Sequence, residues 1–232
     1  MIKTVRETQE ALYGLLRKKG AQLVGTADLT GIVEGNLTTG ICVAVPVPKH
    51  IVLDLQTAPT REYYDAYHSL NAQLNEIVLS GAEFLNARGY QAVANTTDSV
   101  RQNEDWRTPL PHKTVATRAG LGWIGKNCLL VTEQYGSALR LSSLLTDAPL
   151  DTETPITQSR CGGCTLCVRS CPAKALTGAL WNTGTDRDQL FRKEACKDMQ
   201  IRRMKQATGI ETDLCGLCFA VCPYTQKYVR RP

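Results

Sequence analysis

An α+β sheet domain followed by a small, cysteine-rich metal-binding domain is the fold class that this 232-residue sequence predicts. Three observations predict it. Helical and strand-like segments mix through the first part of the chain without strict βαβ alternation, which argues against a doubly wound sheet. Eight of the ten cysteines fall between Cys161 and Cys222. A polar stretch from Asp151 to Arg160, carrying Pro155, separates the two regions as a linker would. The expected division is residues 1–154 as the α+β domain and residues 155–232 as the cysteine-rich domain.

The elements follow from periodicity. Residues 2–19 read as an amphipathic helix with Val5, Leu12, Leu15 and Leu16 on one side and Gly20 as its stop. Residues 21–27 read as a short strand, and 41–47 as a buried β run ended by Pro46 and Pro48. A long helix is expected over 61–88, closed by Gly89, with Tyr67, Leu70, Leu74, Val78 and Phe84 among its apolar positions. Residues 90–96 look like another strand. A polar, proline-containing loop, a helix near 112–119, a glycine-rich turn and β-like stretches at 128–132 and 139–145 complete the first domain.

The cysteine spacing carries the chemistry. The first run is Cys161-x2-Cys164-x2-Cys167-x3-Cys171-Pro172; the second is Cys215-x2-Cys218-x3-Cys222-Pro223, with Cys196 standing apart upstream. In the bacterial ferredoxin pattern, three cysteines of such a run hold one [4Fe–4S] cube and the fourth reaches a second cube. The crossing assigns Cys161, Cys164, Cys167 and Cys222 to one cluster, and Cys171, Cys196, Cys215 and Cys218 to the other. Glycines 162, 163 and 216 let amides approach the cluster sulfurs, while Leu166, Val168, Leu217, Phe219 and Val221 keep water away. Structural zinc is the rival, but zinc uses two separated cysteine pairs around one tetrahedron. Cys42 in an apolar strand reads as a buried, inert thiol, and Cys128 after the glycine-rich turn as a core thiol, with facing a cofactor the alternative.

Composition narrows the class further. Hydrophobic content of 43% is that of an ordinary globular protein. Residues 1–20 are charged throughout, so no signal peptide is expected, and no segment has the apolar length of a membrane span. Ten cysteines without an export signal point to a reducing compartment, by default the cytoplasm. The formal charge is +5, and two cubes of about −2 each would bring the loaded protein to about +1. Basic residues gather near Cys196 (Arg192, Lys193, Lys197, Arg202, Arg203, Lys205) and at the end (Lys227, Arg230, Arg231). Charge compensation on a solvated helix face is the favoured account, with docking of an acidic partner or RNA the alternative.

The run Gly120-Leu-Gly122-Trp-Ile-Gly125 matches the dinucleotide fingerprint, but that mechanism needs a strand before it and a full helix after it. Here a helix precedes and a strand-like CLLVT follows, so the glycines are expected to allow a tight turn and close approach to something flat or bulky, with a simple structural turn the alternative. Tyr64, Tyr67 and His68 share one helical neighbourhood and read as packing.

The stretch RAGLGWIGKNCLLVTEQYGSALRLSSLLTD at 118–147, followed by CGGCTLCVRSCPAKAL, closely resembles the epoxyqueuosine reductase family, itself related to corrinoid-dependent reductive dehalogenases. The likeness covers about residues 60–225 well and the first 60 loosely. It implies a nitroreductase-like N-terminal domain followed by a ferredoxin-like double [4Fe–4S] domain. It also implies a cobalamin reduced by electrons passing through the cubes, with flavin ranked behind it. By the same analogy Gly120, Gly122, Gly125, Lys126 and Asn127 would line the corrinoid cavity, and no protein histidine would ligate cobalt. The family's catalytic acid is an Asp shortly before the helix leading into AGLGWIGK. The candidates here are Asp98 and Asp105, at most one of them, with an ordinary loop or capping role as the alternative for each. The sequence ends ten residues after Cys222, where the family carries a further helical-repeat region that helps grip tRNA.

Three functions are weighed. The first is an iron–sulfur reductase acting on a small molecule, a modified nucleoside or a corrinoid. The second is an electron-transfer protein without substrate chemistry, such as an activator of a corrinoid partner protein. Each would draw on a donor such as ferredoxin or flavodoxin. The third is tRNA binding, ranked last because no stacking aromatics lie among the basic residues. No membrane partner is expected.

Overall fold

The computed structural model describes residues 4–231, so the first residues of the expected N-terminal helix lie outside the described residues. The elements in chain order are α1 (Val5–Lys18), β1 (Leu23–Asp28), β2 (Thr39–Pro46), α2 (Lys49–Asp54), α3 (Arg61–Asn86), β3 (Ala92–Asn95) and α4 (His112–Arg118). They continue with β4 (Trp123–Ile124), β5 (Leu130–Val131), β6 (Leu139–Thr146), α5 (Leu166–Ser170), α6 (Arg187–Leu190), α7 (Lys193–Thr208), α8 (Leu217–Ala220) and α9 (Pro223–Arg230). The architecture is mixed α and β with a cysteine-rich C-terminal segment. The expected helices and strands of the first region are all present, with α2 and β4 as additions.

The chain separates into two compact units. The first comprises the chain up to Val45, Ser69–Leu121 and Arg140–Ile156; the second comprises Pro46–His68, Gly122–Leu139 and the chain from Thr157 onward. The last crossing falls at the linker read from the sequence. The four earlier crossings, after Val45, His68, Leu121 and Leu139, were not read from the sequence as domain boundaries.

The first unit is built on a sheet of strand order β1-β2-β6-β3. β1 runs antiparallel to β2 with Leu23 opposite Ala44, and β3 antiparallel to β6 with Ala92 opposite Thr146. α1 begins at a capping box: Glu7 N–H donates to Thr4 Oγ1 at 3.2 Å, and Thr4 N–H donates to Glu7 Oε2 at 2.9 Å. Its Leu12 and Leu16, one turn apart, meet Leu74, Ile77, Val78 and Leu85 of α3 and Ile41, Val43 and Leu144 of the sheet in one buried core. Burying each such side chain contributes about 1.5–3 kcal/mol. Gly81 makes the helix contact possible, since a Cβ there would sit 2.6 Å from Leu144 Cδ2 and 3.0 Å from Leu16 Cδ2.

The second unit has shorter elements and aromatic joints. β4 and β5 form a two-stranded hairpin with Trp123 opposite Val131. Trp123 packs edge-on against Tyr224, with ring centroids 5.0 Å apart, and Tyr63 likewise against Phe219 at 6.0 Å. Tyr228 donates to the carbonyl of Val47, and Ser137 N–H to Thr225 Oγ1 at 2.9 Å. These contacts draw residues 46–68 and 122–139 into the unit that holds the cysteines.

Candidate metal centre

The eight cysteines of the two runs fall into two groups within the second unit. In the first group, Cys161, Cys164, Cys167 and Cys222 all line one cavity of about 300 Å³. Burial pushes the Cys167 thiol up to about 11, and the charges of Cys222, Cys161 and Cys164 add to the shift. Cys222, displaced by 55 positions from Cys167, reaches this group because it caps α9: Pro223 occupies the first helical turn, where a missing N–H costs nothing. In the second group, burial raises Cys218 well above an ordinary thiol, with Cys215, Cys196, Cys167 and Cys171 following as neighbouring charges. Cys196 is raised by burial and lowered by its bond from Gln200, with Cys171 and Cys215 again among its neighbours.

Donors to sulfur are present in the second group. Gln200 Nε2 lies 2.9 Å from Cys196 Sγ, one helical turn away on α7, and Ala175 N–H points at Cys171 Sγ from 3.4 Å. Bonds of this kind stabilise thiolates and tune whatever the thiolates hold. Raised thiols crowded together are costly when deprotonated, and a bound cation removes that cost. Among the described residues, no group of three or more His, Cys, Asp or Glu could hold a single metal ion. A zinc tetrahedron would require four sulfurs within about 3.8 Å of one another, given Zn–S bonds of about 2.3 Å. A cube places iron and sulfide between the thiolates, and the cavity of about 300 Å³ ringed by the first group leaves room for them.

Lys126 belongs to this cavity. Its side chain is buried, and Nζ donates to the carbonyl oxygens of Gly162 at 2.8 Å and Cys164 at 3.0 Å. Asn127 Nδ2 donates to Ser137 Oγ, and its Oδ1 accepts from Leu129 N–H. Gly122 is required by close approach, because a Cβ there would sit 2.2 Å from the Val131 carbonyl oxygen in the β4–β5 hairpin. A Cβ at Gly125 would meet Val131 Cγ2 at 2.6 Å, and one at Gly120, in the first unit, the Thr154 carbonyl oxygen at 2.9 Å. Of the five residues that the resemblance assigned to a corrinoid cavity, Lys126 and Asn127 line the cavity ringed by the first cysteine group, while Gly120, Gly122 and Gly125 face protein atoms. Their contacts give cobalamin no independent support.

The two candidate acids, Asp98 and Asp105, lie in the first unit. Asp98 is exposed and accepts from Asn75 Nδ2 at 2.5 Å, in a turn following β3. Asp105 is exposed in the loop before α4, next to Trp106, which has a φ of 55°. His68 packs edge-on with Tyr64 at 4.5 Å and Tyr67 at 5.4 Å, as a packing role requires. Cys42 is fully buried, its thiol pushed up to about 12 by burial alone. Cys128, also buried, has a φ of 59° and lies among the charges that raise Cys196, so it borders the second cysteine group. Arg160, Tyr224 and Lys227 line the first cavity without having been singled out as site residues. Proximity to Cys161 and Cys222 in sequence was the available signal.

The family described as a 4Fe-4S double cluster binding domain matches residues 160–225. An epoxyqueuosine reductase of Lactococcus garvieae is 31% identical over 169 residues, covering 70% of this chain and 42% of that protein. The chain is a homologue of the epoxyqueuosine reductases. It spans well under half the length of this relative, so the whole enzyme's activity does not transfer with the homology. A solved epoxyqueuosine reductase with a tRNA-Tyr epoxyqueuosine-modified tRNA stem loop aligns with a TM-score of 0.65 at 20% identity, over 96% of this chain and 66% of that one. A catabolic reductive dehalogenase aligns with a TM-score of 0.76 at 17% identity, over 99% of this chain and 34% of that one. These structural likenesses establish a shared fold.

Proposed function

We propose that this chain is an iron–sulfur reductase of the epoxyqueuosine reductase type, which passes single electrons through two [4Fe–4S] clusters toward an acceptor held by the N-terminal unit. The observation that carries the proposal is that Cys161, Cys164, Cys167 and the distant Cys222 line one cavity, as the crossed sequence pattern requires. Cys161, Cys164, Cys167 and Cys222 would hold one cluster, and Cys171, Cys196, Cys215 and Cys218 the other. Bound clusters supply one-electron transfer at potentials set by the surrounding hydrogen bonds and charges. The chain's own contribution is to fix the thiolates, donate N–H groups to Cys171 and Cys196, and cover the first cavity with Tyr224 and Val131.

Cobalamin is the acceptor that the resemblance implies, in a nitroreductase-like N-terminal domain over residues 1–154, with residues 155–232 as the cluster domain. Gly120, Gly122, Gly125, Lys126 and Asn127 are the residues that the resemblance offers toward cobalamin. Asp98 and Asp105 remain the candidate proton donors by sequence position. Ferredoxin or flavodoxin is the proposed donor, and the cytoplasm the proposed compartment. Ranking tRNA last is not supported: a solved homologue carries a tRNA stem loop, and we include tRNA among the candidate partners. No helix among the described residues is long and apolar enough to cross a membrane.

The electron-carrier alternative shares every cluster feature and differs only in the acceptor. Anaerobic titration of the iron-loaded protein with cob(II)alamin separates the two. Saturable binding with a base-off spectrum supports the reductase; cluster absorption unaccompanied by cobalamin or flavin binding supports the carrier.

A further inference from the structure

Lys126 is an unusual residue to find in a cavity wall. It is 7% exposed, yet its hydrogen-bond partners are two backbone carbonyl oxygens rather than a carboxylate. A buried ammonium that meets only carbonyl dipoles has lost its hydration without gaining a counter-charge. Arg160 and Lys227 line the same cavity, but Arg160 already pairs with Glu133 at 3.1 Å and Lys227 is exposed. The four cysteines of the first group supply the missing charge, since a cube held by four thiolates carries about −2 when oxidised.

We infer that Lys126 is a positioning residue that raises the reduction potential of the cluster held by Cys161, Cys164, Cys167 and Cys222. Two effects act through one ammonium. By bonding the carbonyls of Gly162 and Cys164, it holds the loop that presents Cys161 and Cys164. By placing a positive charge in a poorly solvated wall, it favours the form of the cluster that carries one more electron, because the reduced form is the more negative. Gly162 has a φ of +51° and nothing within contact distance of an added Cβ. The loop is thus shaped by its own backbone and by Lys126, not by side chains crowding it. Lys126 spans 36 positions to Gly162 and 38 to Cys164, so the motif that carries it acts on a cluster encoded elsewhere in the chain.

This inference rests on the two-cluster reading, and the experiment separates the two failures. Iron and acid-labile sulfide are first measured in the wild-type protein; absence of sulfide overturns the cluster reading itself. In the loaded protein, a redox titration followed by electron paramagnetic resonance resolves the one-electron steps of the two clusters. K126Q is expected to lower the reduced-to-oxidised ratio of one cluster at a fixed potential by about tenfold, equivalent to about 59 mV for a one-electron couple, leaving the other step in place. K126R, which keeps the charge, is expected to hold the wild-type step to within about threefold in that ratio, about 30 mV. Should K126Q purify without the first cluster, K126R decides, and a tenfold shift in it overturns the assignment. Full iron content in K126Q with both steps unmoved overturns it equally, leaving Lys126 a loop brace only.

Discussion

The two compact units are held together by different physics. The first has long, periodic elements around a continuous apolar core from α1, α3 and the sheet. In the second, α5, α6 and α8 span only four or five residues, and the 16-residue α7 buries Met204 alone. Short helices are marginal without tertiary support. The first unit is stabilised by one continuous apolar core; the second buries Ile51, Leu55 and Trp123 as well, but any metal affinity of its thiols adds to its folding free energy. The lesson is that one chain combines a unit that folds on hydrophobic pattern with one in which ligation adds to burial.

Stripping iron by chelation under reducing conditions breaks the comparison most severely. Hydrogen exchange should show α5, α7 and α8 losing protection while β1, β2 and β6 keep theirs; equal loss in both units would show that the first also relies on the metal. Next in size is a core truncation in the first unit. L144A removes a fully buried side chain and should destabilise that unit by about 2–5 kcal/mol, with iron content unchanged. Denaturant unfolding monitored beside iron absorbance checks both halves of the expectation.

A smaller effect comes from pH. His112 is held down to about 4 by burial, with the Arg140 charge second, while its Nδ1 is bonded to Ser143 Oγ at 2.9 Å. Its folded value lies below the unfolded value of about 6.5, so the unfolded chain takes up the proton first as pH falls. The contribution is complete above about pH 6.5 and is lost between there and about 4, amounting to about 3 kcal/mol. H112Q should flatten this slope in the exchange of β6 and α4; an unchanged slope would assign it to another group. The smallest effect is T4A, which deletes the capping box at α1 and should cost about 1 kcal/mol by thermal unfolding of the first unit.

The same contrast governs what could be read from the sequence. The spacing of Leu12, Leu16, Leu74 and Val78 announced α1 and α3 because burial imposes a period on residues close in sequence. The cysteine spacing predicts two groups because a compact cluster needs short spacers, and it assigns Cys222 across 55 positions only through that known crossing. The membership of residues 46–68 and 122–139 in the second unit was not legible. It rests on pairings such as Tyr63 with Phe219 and Tyr228 with Val47, which leave no local pattern. In the glycine-rich turn the close neighbour of Gly122 is the Val131 carbonyl of the β4–β5 hairpin, whereas the sequence points to something flat or bulky. Lys126 within it was assigned to a corrinoid by analogy; its bonds to the Gly162 and Cys164 carbonyls carried no signal in the sequence. Asp98 and Asp105 could be placed by counting but not ranked, since both emerge as exposed loop carboxylates.

Crossed ligation by two cubes is the central claim, and a pair of serine variants tests it most directly. Wild-type protein prepared without oxygen should contain about eight iron and eight sulfide per chain. C222S and C161S, altered 61 positions apart, should weaken the same cluster and leave the same surviving resonance signal, while C171S and C218S should leave the other. If C222S instead shares its surviving signal with C218S, its neighbour in sequence, or if the wild type carries zinc without sulfide, the account is contradicted.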